Sequence, residues 1–208
     1  MKIIDRKILP FQENNFFSPI RDKIDYVRLI AFSARQLLLN VQDPSGLSTS
    51  HLRLVVDKMS RLFFYKDNKY FSVSFPLFAN IAGDNQVTEL TTYSGCNLDS
   101  QVISSIISVI DDAAFRTDTS FINFFLNQDD SESSHLYLLE ELFQFEPSYI
   151  RYDCDPENEN GSVHPLHHLD INYSQYGTFK LGLSRGIASE YFEDIQNVKT
   201  DCTFLVDK

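Results

Sequence analysis

A chain of 208 residues with 18 Phe and 10 Tyr has ample apolar material for a core that needs no disulfide or metal staple. Its formal charge of −11 opposes general nucleic-acid binding, because phosphate contact needs clustered Lys and Arg. The three cysteines, Cys96, Cys154 and Cys202, are odd in number and form no C-x-x-C pair, which argues against a disulfide framework and for a reducing compartment.

The first residues hold charge but no apolar segment of a secretory signal, and no run reaches the ~18 apolar residues of a membrane span. The expectation is a soluble, cytoplasmic protein with no membrane partner. Charge is unevenly spread: residues 1–70 carry 12 Lys/Arg against 7 Asp/Glu, and the remainder carries 6 against 22. The basic part offers a local patch for nucleic acid, or, more plainly, attraction toward the acidic remainder or a protein partner.

Residues 1–17 read as an extended arm. Ser18-Pro19 is expected to open a helix, Ser18 as cap and Pro19 in the first turn, with Ile20, Ile24, Val27, Ala31, Ala34, Leu38 and Val41 on one apolar stripe. Asp43-Pro44-Ser45-Gly46 stops it. A second helix is expected from Thr49 or Ser50, with Leu52, Val55, Val56, Met59, Leu62 and Phe63 inward. Arg21, Lys23, Arg28, Arg35, Arg53, Lys58 and Arg61 then lie mainly outward on these two helices.

A turn at 66–69 leads into a strand over 70–75, and Ala82-Gly83-Asp84-Asn85 turns the chain into a strand over 87–93. A third helix carries Val102, Ile103, Ile106, Ile110 and Ala113 on one face. Residues 117–126 fit a short helix or a buried strand. After an acidic loop at 128–132, a helix is expected over 134–145, stopped by Pro147. Helices first and strands later, without βαβ alternation, predict an α+β fold. In that fold N-terminal helices pack on a mainly antiparallel sheet with a C-terminal hairpin and a closing helix. One domain over 1–208 is expected, divisible into a helical part, 1–65, and a sheet-containing part, 66–208.

The chemistry concentrates between Tyr149 and Val198. A strand over 148–154 puts Ile150, Tyr152 and Cys154 on one face and Tyr149, Arg151 and Asp153 on the other. Residues 128–160 hold ten carboxylates and one basic residue, Arg151, but lack the spacing of a calcium-binding EF-hand loop. A strand over 167–173 puts His168, Asp170 and Asn172 together, away from Leu169, Ile171 and Tyr173. With the next strand over 178–183, a three-residue loop keeps the apolar face whole, pairing Ile171 with Phe179, Leu169 with Leu181, Asp170 with Lys180 and His168 with Gly182. Gly177 then takes the position of positive φ. A helix over 188–197 closes the chain, with Tyr191, Phe192, Ile195 and Val198 inward.

Two readings of the polar residues follow. In the structural one, Asp170 pairs with Lys180 across strands, and His164 and His168 bond to backbone carbonyls. In the catalytic one, His164, His168 and Asp170, completed by Asp153 or Asp155, hold Zn²⁺, Mn²⁺ or Fe²⁺ and activate water for hydrolysis. No zinc-protease signature such as H-E-x-x-H is present, and His167 points away from His168. His51 and His135 are each expected alone on a helix, as surface or cap residues. There is no G-x-S-x-G elbow, P-loop or G-x-G-x-x-G, and Cys96 has no recognisable partner base. Arg185 is placed to meet an anion or to neutralise the acidic loop.

The order Arg151-Tyr152-Asp153, His164-Pro165, His168-Leu169-Asp170-Ile171, Arg185 and Phe192 resembles the C-terminal third of a family of uncharacterised bacterial proteins. That family is a domain of unknown function often encoded among mobile and antiphage defence genes. Asp170 stands where the family pattern would place a second strand histidine, which weakens a metal site carried over from it. What the resemblance implies is a bacterial accessory protein with no established enzymology.

The expectation is therefore a non-catalytic accessory or binding component of a bacterial multi-protein system, with antiphage defence as its setting. Arg151, Asp153 and Arg185 are its candidate binding residues, protein partners are expected, and no cofactor is needed. The first alternative is a metal-dependent hydrolase or nuclease using His164, His168 and Asp170 with a divalent metal. The second is an acidic inhibitor or nucleic-acid mimic, motivated by the charge of residues 71–208.

Overall fold

Residues 51–66 fit helical apolar spacing, and in the computed structural model of the chain they form two extended segments joined by a turn at 57–59. The structure describes residues 1–39, 46, 48–117, 133–174 and 176–204, with side chains from 137 onward in the helix that begins at Ser133. The helix stop at 43–45, most of the ambiguous segment 117–126, the acidic loop 128–132, the hairpin residue 175 and the His135 side chain lie outside the described residues.

The fold is α+β. Strands β1 (Lys2–Lys7), β2 (His51–Val56), β3 (Ser60–Lys66), β4 (Lys69–Ser74), β7 (Ile150–Cys154), β8 (His167–Ile171) and β9 (Phe179–Leu183) form one sheet in the order β1-β2-β3-β4-β7-β8-β9. Every neighbouring pair in it is antiparallel. Strands β5 (Phe78–Ile81) and β6 (Val87–Thr91) make a separate hairpin.

The expected second helix is thus two strands. Leu52, Leu54, Leu62 and Phe64 face one side of the sheet; Val55, Phe63 and Tyr65 face the other. A central strand buried on both faces is a continuous apolar run, which helical spacing also fits; β-branched and aromatic residues favour the strand. The expected arm is also ordered, as β1 followed by α1 (Glu13–Phe17). The part taken as helical, 1–65, therefore contributes most of three strands to the same sheet as β7–β9.

Helix α2 (Lys23–Leu39) starts later than expected. Ser18 Oγ donates back to the Asn14 carbonyl at 2.6 Å, and Asp22 Oδ1 accepts from Asp25 N at 2.9 Å. Helix α3 (Ser100–Asp111) is capped by the Asp99 carboxylate, which accepts from Gln101 N and Val102 N. Helices α4 (Ala113–Thr117) and α5 (Ser133–Gln144) follow. The α2, α3 and α5 apolar faces and the β5–β6 hairpin share one core with the sheet. A second core on the opposite face is closed by α6 (Ser189–Asp194), whose Phe192 is fully buried. Tyr191 and Val198, expected inward, are exposed: Tyr191 lies on the outer side of α6, away from Phe192, and Val198 lies past the helix end at Asp194.

The basic residues of the N-terminal part are mostly engaged internally. Arg28 pairs with Asp111 at 2.8 Å, and Lys23 lies 3.9 Å from Glu146. Arg53 joins Asp5 at 2.7 Å to Glu193 at 2.8 Å. Arg61, expected outward, is buried and donates to Ser72 Oγ, Ser148 Oγ and Gln196 Oε1. No helix among the described residues is long and apolar enough to cross a membrane.

Candidate functional site

The hairpin register is the one expected: Ile171 opposite Phe179, Leu169 opposite Leu181, Asp170 opposite Lys180 and His168 opposite Gly182. Gly177 has φ +126, a conformation other residues rarely adopt. On the other side of β8, β7 places Arg151 opposite Asp170 and Asp153 opposite His168. Strand alternation therefore gathers Arg151, Asp153, His168, Asp170 and Lys180 on one face, with Tyr152 and Leu169 in the apolar core on the other.

Within this row each charge meets its opposite. Arg151 Nη2 donates to Asp170 Oδ2. Its Nε lies 2.7 Å from Asp153 Oδ2, but the N–H is not aimed along that line, so the contact is an ion pair rather than a directed hydrogen bond. Asp170 Oδ1 accepts from Thr178 Oγ1 at 2.8 Å and lies 3.3 Å from Lys180 Nζ. Lys69, from β4, stands 3.6 Å from Asp153 Oδ1. Burial pushes the Asp170 carboxyl up, but the Thr178 hydroxyl, Arg151 and Lys180 outweigh it and hold it below the usual carboxylate range. Burial likewise opposes the charge on Arg151, yet Tyr149, Asp153 and Asp170 raise it above its ordinary value.

The loop after β7 folds over this face. The Pro165 carbonyl can only accept, so His168 Nδ1, 2.9 Å away, carries the proton. In the neutral ring, Nε2 then bears the lone pair, and Lys180 Nζ donates to it at 3.1 Å. The His164 ring stands edge-on to that of His168 at 4.8 Å. His164 Nε2 is buried without a directed hydrogen bond; its nearest carboxylate oxygen, Asp155 Oδ2, is 3.4 Å away. Asn158, and less strongly His164, hold the Asp155 carboxyl below its ordinary range.

The other candidates sit elsewhere. His167 faces the second core, 3.0 Å from the Tyr152 hydroxyl, as strand parity requires. His51 is on β2 rather than on a helix, stacked on Tyr65 at 4.7 Å, and burial lowers its pKa. Arg185 is exposed beyond β9 and has no ion pair among the described residues.

Asp153, His168 and Asp170 bring one ligand atom each within 4.8 Å of one another, the spacing of a metal site. Asp153 takes the third place expected for His164. Yet the lone pair of His168 Nε2 and an oxygen of Asp170 already face one ammonium, and Asp153 already meets two cations. A divalent ion would have to displace Lys180 and compete with Arg151. A cleft of about 560 Å³ opens beside the cluster, lined by Lys66, Lys69, Asp153, Asp155 and Asn158, but neither His168 nor Asp170 lines it.

No family model, curated protein or solved structure matches this chain. The most distinctive of its surfaces is the strand that carries Lys180. β9 is the last strand of the sheet, and Phe179, Lys180, Leu181 and Gly182 along it are all exposed.

Sequence reasoning missed two members of the polar cluster, Thr178 and Lys69, and one contact, that of Lys180 with His168. Thr178 was accessible, being two residues from Lys180 on the same face as Asp170. That Lys180 also serves His168 follows from the register once Pro165 fixes the ring. Lys69 was not accessible, because nothing local says that β4 lies beside β7.

Proposed function

We propose that the chain is a non-catalytic binding component of a multi-protein system, taking an extended segment of a partner protein along the free edge of β9. The observation that carries this is the state of that edge. An edge strand presents unpaired N–H and C=O groups, and proteins usually guard it with outward charge. The opposite edge, β1, follows that rule with exposed Lys2, Asp5 and Lys7. On β9 the one charged residue, Lys180, is turned onto Asp170 and His168, while Phe179 is 76% exposed and Leu181 39%. Such an edge suits strand addition, in which main-chain bonds give affinity and alternate side chains give specificity. Antiphage defence in bacteria is the setting proposed for this role, on the resemblance of the C-terminal motifs alone.

The test is a comparison of proteins retained by the wild-type chain and by the double variant Phe179→Lys/Leu181→Lys in the native host, with Glu89→Lys as a control. The expected outcome is one or more partners held by wild type and control and lost from the double variant, all three melting within a few degrees of one another. Identical retention by all three would refute the role of β9.

One observation favours a second reading, a metal-dependent hydrolase at Asp153, His168 and Asp170: their ligand atoms lie close together. It requires Lys180 to leave. A rise in melting temperature with added Zn²⁺ or Mn²⁺, abolished in His168→Ala, would favour it over the first.

A further inference from the structure

A second surface, on the opposite side of the sheet from the apolar face of β9, has a different chemistry. Helix α5 and the turn after β6 enclose an open groove of about 490 Å³. Three- and four-residue spacing puts Tyr137, Glu140 and Glu141 along one side of α5, with Phe145 just past its end, and Pro76 and Tyr93 line the groove too. Tyr93 is 86% exposed and Tyr137 72%, an unusual outlay of aromatic surface for two side chains of one groove. Among the described residues two carboxylates line it, and no Lys or Arg does.

One of those carboxylates is fixed in place. Glu141 accepts from Ser94 N at 3.1 Å and from Ser94 Oγ at 2.6 Å, so the helix and the turn hold it jointly. Burial works against its charge, but the hydrogen bonds from Ser94 and Thr92 prevail and keep the carboxyl below its ordinary range. Glu140 is exposed and, among the described residues, accepts one long bond, from Gln144 Nε2 at 3.4 Å.

Aromatic rings beside fixed negative charge select a cation: the ring face attracts it and the carboxylate neutralises it. A guanidinium fits better than an ammonium, since it stacks flat on a ring while its N–H fork meets a carboxylate. The aromatic surface also continues past the groove, where exposed Phe78 packs against Tyr93 with ring centroids 6.3 Å apart. A free small cation would leave that extension unused; a polypeptide would cover it. We propose that this groove binds an arginine side chain carried on an extended segment of a partner protein, the guanidinium lying against Tyr93 and Tyr137 and facing Glu140 and Glu141. The site is separate from β9 and does not depend on it.

The probe is the blocked peptide acetyl-Ala-Phe-Arg-Phe-Ala-amide, with its citrulline counterpart as an uncharged isostere, titrated into the full chain and followed by amide chemical shifts. Saturable shifts are expected at Tyr93, Ser94, Tyr137 and Glu141, with the citrulline peptide weaker by about fivefold or more. Tyr137→Ala and Glu140→Gln, both at exposed positions and checked by an unchanged spectrum elsewhere, should each weaken the arginine peptide by about two- to fivefold. Phe179→Lys/Leu181→Lys should leave its affinity unchanged, which separates failure of this site from failure of the β9 reading. Equal affinity for the two peptides, shifts confined to other residues, or no saturable shift with millimolar peptide would overturn the proposal.

Discussion

Asp170 shows how one side chain decides between chemistry and structure. It is 1% exposed and accepts from Thr178 and Arg151 while Lys180 stands beside it, so its charge is balanced from two strands and a hydroxyl from the turn completes its hydrogen bonding. Breaking such a buried group from one side leaves uncompensated charge behind. Asp170→Asn keeps the shape but not the charge, and should lower stability by about 2–4 kcal/mol at pH 7. The pH dependence has a defined sign. The folded carboxyl sits below its unfolded value, so its contribution is complete above about pH 4 and is lost as pH falls through the lowered folded value. Urea unfolding at pH 7, 5 and 3 should therefore show wild type and Asp170→Asn converging as the solution becomes acid. A gap that widens toward pH 3 would mean that the carboxyl is not held in its charged form. The Asp170–Lys180 pair was legible because register is dictated by apolar alternation. The tautomer of His168 was not, because it depends on the Pro165 carbonyl in an irregular loop.

At the level of elements, the C-terminal hairpin was readable to the residue, while the β2–β3 hairpin was read as a helix. The difference lies in burial. β8 and β9 have one apolar and one polar face, so period two stands out, whereas β3 is buried on both faces and shows no alternation. β1 has no such excuse; its alternating Ile4 and Arg6 burial is visible only once β2 is a strand for it to pair with. The packing of loop against strand was equally hidden. A Cβ placed on Gly182 would lie 2.9 Å from Pro165 Cγ, so the loop bearing His164 closes onto β9 only because that position has no side chain. Gly182→Ala should cost about 1–3 kcal/mol as Pro165 is pushed away. It should also shift the His164 and His168 ring signals in NMR spectra. Gly83→Ala is the control, with open space around it. Equal melting temperatures for the two variants would show that Pro165 yields freely.

The whole molecule poses a question of continuity, because its sheet is assembled from two distant parts of the chain. β1–β4 come from residues before 75 and β7–β9 from residues after 149, and they meet along a short ladder from Tyr70 to Ser72 on β4. Three features reinforce that seam. Tyr70 stacks on Tyr152 with centroids 5.3 Å apart, and Arg61 reaches across to Ser148 Oγ at 3.3 Å. The third is α6, which leaves the C-terminal hairpin and returns over the N-terminal half. Its Phe192 packs edge-on against Phe63 and beside Tyr70, and Glu193 pairs with Arg53. Gln196, just past it, accepts from Arg61 Nε at 2.8 Å. Stability of the two halves should therefore be shared rather than local. Phe192→Ala leaves a cavity at this junction and should cost about 3–5 kcal/mol. If α6 joins the halves, native-state hydrogen exchange of the variant will lose protection in β3 and β8 by similar factors. Faster exchange confined to α6 and β9, with β3 at wild-type protection, would mean instead that the C-terminal part opens on its own and that the seam, not the helix, holds the sheet together.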